Sequence, residues 1–334
     1  MNGRPRRPPA RAIPDTVFGR VWTWLSGLPL WSRVRGVARL LRGRGLVTAL
    51  PFLWLLIFFL VPFVFVLKIS LAEPVLGQPP YSALATLSEG FVQLRINLGN
   101  YLFLLQDTLY VSAYLNSIRI AAVSTLLCLL IGYPMAYAIA QARPALRNVL
   151  LMLIILPFWT SFLIRVYAWI GILKSNGLVN NLLQWIGLID QPLPLLHSDF
   201  AVYVGIVYSY LPFMVLPLYA TLVRMDPALL EAAKDLGCRP LKAFWRVTLP
   251  LSMPGVIAGS SLVFIPAVGE FVIPDLLGGP DTLMIGKVLW TEFFTNRDWP
   301  VASAVAVAML LFLVVPIALF QRTQERQAEP GEPR

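Results

Sequence analysis

The sequence predicts an all-α, polytopic membrane protein with six transmembrane helices. Three observations predict it: an apolar composition, six uncharged stretches of spanning length, and loop charges that change sign from one connection to the next. Of the 334 residues, 57% are hydrophobic and 13% charged, and the mean hydropathy is +0.71. A soluble domain has roughly 45–50% apolar and 25% charged residues. This chain therefore lacks the polar surface to solvate a globule of its size, which excludes a soluble enzyme. The 28 prolines and 22 glycines do not signal disorder, because both are commoner in membrane helices than in soluble ones.

A helix needs roughly 20 residues to cross about 30 Å of hydrocarbon. The candidates are Ala49–Leu67, Ile120–Ala142, Asn148–Ile164 (extending past Arg165 to Ile172), Phe200–Val223, Val247–Gly269 and Trp299–Gln321. All are too long for strands, and a spanning segment must satisfy its own backbone, so helices are expected. Residues 1–46 carry ten arginines and one aspartate, +9. The later connections carry −2 over 72–113, +2 over 143–147, −1 over 173–199, +2 over 224–246 and −2 over 275–298. Positive loops stay in the cytoplasm, so both termini are expected there, in a bacterial inner membrane. The expected organisation is a basic cytoplasmic segment over 1–46, a membrane domain over 47–322 and a cytoplasmic tail over 323–334.

The N-terminal segment is too long and too rich in arginine for a signal peptide. Phe18–Leu41, with Trp22, Trp24, Trp31, Arg20, Arg33, Arg35 and Arg39 beside Arg42, reads as an interfacial segment on the anionic inner leaflet. Nucleic-acid binding is the rival reading, disfavoured because the arginines adjoin a membrane span. In Asn176–Ile189, Leu178, Leu182, Trp185, Ile186 and Ile189 share one helical face, so a short helix is expected along the outer membrane surface. The 72–113 loop is expected to be exposed to water. Gly255 and Gly259 stand four apart, the spacing that lets membrane helices approach closely.

Metal and disulfide chemistry have little to stand on. Cys128 lies in an apolar run and Cys238 in a polar loop, and His197 is the single histidine. No metal site, disulfide framework or cofactor is expected.

The most informative stretch is DPALLEAAKDLGCRPLKAFWRVTLP, 226–250. It is cytoplasmic by charge and too polar for the bilayer. Asp226 is a plausible N-cap with Pro227 at the first helical position, and Gly237 is placed to end the helix in a positive-φ conformation. A second helix is expected from Leu241 to Val247. Glu231-Ala232-Ala233, then Gly237, then Val247-Thr248-Leu249-Pro250 resembles the EAA loop of ABC importer permeases, with valine where the family usually has isoleucine. The stretches LPFWTSFLIRVYAWIGIL (156–173), GIVYSYLPFMVLPLYATL (205–222) and FIPAVGEFVIPDLLGGPDTLMIGKVLW (264–290) are similar to the putrescine branch of polyamine importers. That resemblance covers nearly the whole chain from Leu46 to Phe320.

The resemblance implies the type I ABC importer permease architecture. It also implies partners: a second homologous permease, a cytoplasmic ABC ATPase dimer and a periplasmic polyamine-binding protein. Glu231, Ala232, Ala233, Gly237, Leu249 and Pro250 would be the ATPase-coupling residues. This chain would be a non-catalytic permease. Its nearest approach to a P-loop, at Gly286-Lys287, has Asp281 in place of the first glycine and Val288 in place of the hydroxyl residue.

A diamine needs carboxylates and aromatic faces to replace its water. Glu270 follows 23 uncharged residues, with Asp275 one turn or so beyond. Glu270, Asp275, Trp159, Tyr167, Trp169 and Tyr208 are the candidate substrate-pathway residues, with Tyr210 and Phe271 offering further ring faces. The competing reading of Glu270 is a structural ion pair with Arg165. The competing functions are an importer for spermidine or another solute, an ion-driven transporter, and an intramembrane enzyme.

Overall fold

The computed structural model describes residues 44–88 and 91–328. The interfacial reading of Phe18–Leu41 lies outside them. Contacts divide the chain into two units, Met1–Phe65 and Val66–Arg334. The first is described as one helical run: α1 (Arg44–Leu55), a π turn (Leu56–Leu60) and the start of α2 (Val61–Ser70). Its apolar side chains are exposed, as suits a lipid-facing or subunit-facing helix.

The second unit takes in the rest of α2 and then a short antiparallel hairpin, β1 (Ala85–Ser88) and β2 (Phe91–Leu94). The helices follow as α3 (Gly99–Gln106), α4 (Thr108–Gln141), α5 (Pro144–Ile155), α6 (Phe162–Leu173), α7 (Leu178–Trp185) and α8 (Asp199–Leu222). The chain continues through α9 (Pro227–Asp235), α10 (Pro240–Ala243), α11 (Leu249–Val268), α12 (Val272–Leu277), α13 (Ile285–Trp290) and α14 (Trp299–Ala328). Among the described residues, five helical runs are long and apolar enough to cross a membrane: Val47–Ser70, Thr108–Gln141, Phe162–Trp185, Asp199–Leu222 and Pro240–Val268. Pro144–Trp159 and Trp299–Val314 are shorter apolar helices.

The architecture is the expected helical membrane fold, although five runs rather than the expected six reach spanning length among the described residues, and three further differences stand out. First, the third span is not continuous. α5 gives way to a 3-10 turn (Leu156–Trp159), and α6 starts afresh at Phe162. Second, the second span starts at Thr108 rather than Ile120. Asp107 Oδ1 accepts the Leu109 N–H at 2.9 Å and nucleates the helix inside the expected loop. Third, the 72–113 connection holds regular structure, the hairpin and α3. The short helix expected within 176–189 is α7.

Helix α8 packs between α4 and α11, and half of its most apolar stretch is buried. Two glycines set that packing. A Cβ on Gly259 would stand 2.9 Å from Met214 Sδ and 3.0 Å from the Met214 carbonyl oxygen. One on Gly255 would stand 2.6 Å from Thr221 Oγ1. The spacing read from the sequence therefore marks the real α8–α11 contact. Polar cross-links tie the bundle: Tyr133 Oη to Ser252 Oγ at 2.8 Å, Tyr114 Oη to the Val305 carbonyl at 2.8 Å, and the Ile285 N–H to Ser117 Oγ at 2.8 Å. In an apolar medium such groups must find partners within the protein.

Candidate functional site

Two places carry functional geometry: the 226–250 elbow, and a break in the fifth span at Gly269–Phe271. At the elbow, Asp226 Oδ1 accepts the Ala228 N–H at 3.0 Å and Pro227 opens α9. Glu231, Ala232 and Ala233 follow on that helix. Gly237 ends it at φ +74°. Its N–H donates to the Lys234 carbonyl at 2.8 Å, and the Cys238 N–H donates to the Ala233 carbonyl at 2.9 Å. This paired pattern closes a helix on a left-handed glycine.

The second helix of the elbow differs from expectation. α10 runs through a π turn (Phe244–Thr248) into α11, carrying Leu249 and Pro250 at the junction. The second half of the elbow is therefore continuous with the fifth span. Phe244 anchors it, edge-on to Tyr133 at 5.4 Å and to Tyr137 at 6.3 Å between ring centroids. The outer surface is apolar for a loop: Leu236 is 88% exposed, Leu241 72% and Trp245 61%. Arg239, Lys242 and Arg246 line a shallow groove with Leu241 and Trp245. A polar segment that displays large apolar side chains is suited to burying them against a partner.

At the break, α11 stops at Val268 and α12 starts at Val272. The buried Glu270 fills the gap. Its Oε1 accepts the Val272 N–H at 3.1 Å and the Ile273 N–H at 3.4 Å. Its Oε2 accepts the Tyr210 hydroxyl at 2.6 Å. The carboxylate thus caps α12, where backbone donors have no helical partner. Gly286 lets the start of α13 abut this gap, since a Cβ there would stand 2.4 Å from the Gly269 carbonyl oxygen.

The ion pair weighed between Glu270 and Arg165 is not formed. Arg165 lies over the rings of Phe158 and Phe162, 5.2 and 5.7 Å from their centroids, an arrangement favoured by the ring quadrupole. Phe158 meets Phe213 edge-on at 5.3 Å, and Phe213 meets Tyr210 at 6.0 Å. Aromatic rings thus separate the two charges. Asp275 pairs instead with Lys287, Oδ1 to Nζ at 3.2 Å.

Of the aromatic candidates, Trp169 and Tyr208 come together, edge-on at 5.4 Å. Trp159 at the end of the 3-10 turn and Tyr167 on α6 are exposed. Sequence reasoning missed Lys287 and Trp290. Phe271 stacks on Trp290 at 4.6 Å and 10° between planes. The one available signal was the position of both residues in the informative 264–290 stretch.

Residues 128–328 match the family model described as the inner membrane component of binding-protein-dependent transport systems. The chain belongs to this family. It is 39% identical over 280 residues to the spermidine/putrescine transport system permease protein PotB of Haemophilus influenzae, covering 84% of this chain and 93% of that one. It is 42% identical over 232 residues to PotB of Escherichia coli, covering 70% of this chain and 84% of that one. The fold resembles that of a crystallised bacterial ABC transporter involved in the import of the acidic polysaccharide alginate. There the TM-score is 0.64 at 19% identity, over 93% of this chain and all of the other. A second alginate transporter structure, in complex with an alginate pentasaccharide-bound periplasmic protein, gives 0.66 at 19% identity over 91% of this chain. As a family member the chain is a non-catalytic inner-membrane permease of the ABC importer type, and ATP hydrolysis resides in a separate subunit.

Proposed function

We propose that this permease moves putrescine from periplasm to cytoplasm by alternating access, with both termini in the cytoplasm. Its partners are a second homologous permease, an ABC ATPase dimer and a periplasmic polyamine-binding protein. The observation that carries the reading is the elbow: exposed Leu236, Leu241 and Trp245 around a left-handed Gly237, on a segment continuous with the fifth span. We assign Glu231, Ala232, Ala233, Gly237, Leu249 and Pro250 to coupling with the ATPase. ATP binding closes the ATPase dimer and carries the elbow with it, which biases the spans toward the outward-open state. Hydrolysis resets them. This requires nucleotide to favour one state over the other, because equal affinity shifts nothing.

The polyamine assignment is supported by the names of the PotB relatives and by the aromatic and acidic residues around the break. Those names cover both spermidine and putrescine, and the putrescine choice follows from the similarity in 156–173, 205–222 and 264–290. For the pathway, Trp159, Tyr167, Trp169 and Tyr208 supply ring faces and Asp275 a partly exposed carboxylate. Glu270 shapes the outer half of the path by holding α12, and its negative charge attracts the cation at short range.

The test is uptake of labelled putrescine and spermidine by the reconstituted complex, with and without ATP. ATP-dependent putrescine uptake is expected. Preference for spermidine would overturn the putrescine choice while keeping the importer. Uptake indifferent to ATP would overturn both.

A further inference from the structure

The Lys287–Asp275 pair has a chemical peculiarity. A lysine side chain is four methylenes ending in a primary ammonium, which is 1,4-diaminobutane with one of its two ammonium groups replaced by the bond to the backbone. Here that ammonium already sits on a carboxylate, Nζ 3.2 Å from Oδ1. The flanking surface suits an alkylammonium. Phe271 precedes Asp275 by one helical turn and accepts the Asp275 N–H at its carbonyl at 3.0 Å. Trp290 follows Lys287 by three residues on α13. The Phe271 and Trp290 rings stack on each other at 4.6 Å, so the residue just before α12 also meets the helix that carries Lys287.

We propose that Lys287 is a tethered stand-in for the transported diamine, holding Asp275 until a substrate ammonium displaces it. This rests on the reading above that the cargo is a diamine. Three features favour displacement over a fixed structural bond. The Asp275 side chain is 54% exposed and that of Lys287 30%, so a second cation has access. An ion pair so open to solvent contributes little to stability. The exchange of one primary ammonium for another at one carboxylate conserves charge and hydrogen-bond type, so little separates the two states. The released Lys287 then carries its positive charge next to the occupied site and repels the cargo, which favours onward movement over retention. The pair also joins α12 to α13, whose start abuts the Glu270 gap, so displacement loosens the hold on α12 beside the break as substrate arrives.

The experiment measures KM for putrescine in ATP-driven uptake by the complete reconstituted complex, with subunit stoichiometry checked by co-purification. Lys287→Met keeps an unbranched side chain one atom shorter and removes the competing ammonium, so KM should fall at least about threefold. Asp275→Asn removes the shared carboxylate, so KM should rise about tenfold. The double variant should behave as Asp275→Asn does. An unchanged or raised KM in Lys287→Met, or an unchanged KM in Asp275→Asn, overturns the inference while wild-type putrescine uptake leaves the proposed function standing. Loss of assembly in both Lys287→Met and Lys287→Gln also overturns it, because the pair would then be structural. A wild-type complex that carries no polyamine overturns the function and this inference together.

Discussion

Tyr210 Oη stands 2.6 Å from Glu270 Oε2, and this bond ties the middle of α8 to the gap between α11 and α12. The other carboxylate oxygen holds the first two backbone donors of α12. An acidic side chain in a membrane segment is a functional candidate by default. Here its oxygens are engaged by three donors before any cargo arrives, so positioning of α12 is its first role.

Glu270 variants should therefore separate shape from charge. Glu270→Ala leaves the Val272 and Ile273 donors and the Tyr210 hydroxyl without their acceptor, at a cost of about 1–3 kcal/mol per unsatisfied buried group. A lower melting temperature of the purified complex is expected. Glu270→Gln keeps an acceptor for the backbone donors and an amide for Tyr210, so it should assemble near normally while putrescine uptake falls. Normal uptake kinetics in Glu270→Gln would leave the residue a purely structural cap.

Tyr210→Phe probes the same bond from the other side. It removes the donor and retains the ring against Phe213. A hydrogen bond to a charged group contributes about 1.5–3 kcal/mol. The variant should lose stability in that range or below, measured by denaturation in detergent, with a smaller loss than Glu270→Ala.

The α8–α11 contact makes a sharper packing test. Gly259→Leu would drive a side chain into Met214, whose backbone oxygen cannot move aside as a flexible tip can. Overpacking of this kind costs typically about 1–3 kcal/mol or more. The expected readout is reduced thermal stability and loss of uptake. Gly171→Leu is the control, because a Cβ there meets nothing within 4 Å in this chain. Its effect on stability should be small.

These residues also show what the sequence could and could not reveal. The Asp226 cap, the Gly237 turn and the Gly255/Gly259 contact were legible because each depends on local backbone geometry or on side-chain size at fixed spacing. The break at 156–161 was not. Pro134, Pro212, Pro217, Pro254 and Pro266 all lie inside intact helices, while Pro157 lies in a 3-10 turn. Hydropathy treats them alike, and neighbouring helices decide which prolines a span tolerates. The early start of α4 was hidden by Asn116, Ser117 and Arg119, polar residues that interrupt the uncharged stretch ahead of Ile120. Ser117 has a specific partner in the Ile285 N–H, 168 residues away. The role of Glu270 likewise depended on Tyr210, 60 residues distant, a pairing no local pattern encodes.

The two cysteines give a topology test without a new reporter. Cys128 is buried and Cys238 is partly exposed beside Gly237. A membrane-impermeant thiol reagent should label Cys238 alone, and only when applied from the cytoplasmic side. Labelling from the periplasmic side would invert the orientation inferred from loop charge and remove the elbow from reach of an ATPase. Assembly with the ATPase should protect Cys238, because it lies on the surface assigned to docking.

Gly237 provides the most direct test of coupling. Its φ of +74° is costly for residues with a Cβ, yet a Cβ there would meet nothing within 4 Å. Conformation and contact can therefore be separated by choice of residue. Gly237→Asn tolerates the left-handed region and adds a modest polar group. Gly237→Val combines about 1–2 kcal/mol of backbone strain with β-branched bulk. Gly237→Asp tolerates the turn and places a negative charge at the proposed docking surface. All three should insert, since Gly237 itself lies outside the candidate spans. Gly237→Asp should retain α9 yet lose ATP-driven uptake, with the ATPase running without cargo or failing to co-purify. Gly237→Asn should retain most transport, and Gly237→Val should lose it through a distorted turn. Normal ATP-driven transport by Gly237→Asp would mean the elbow is not gripped at this glycine, and the coupling assignment of its neighbours would fail with it.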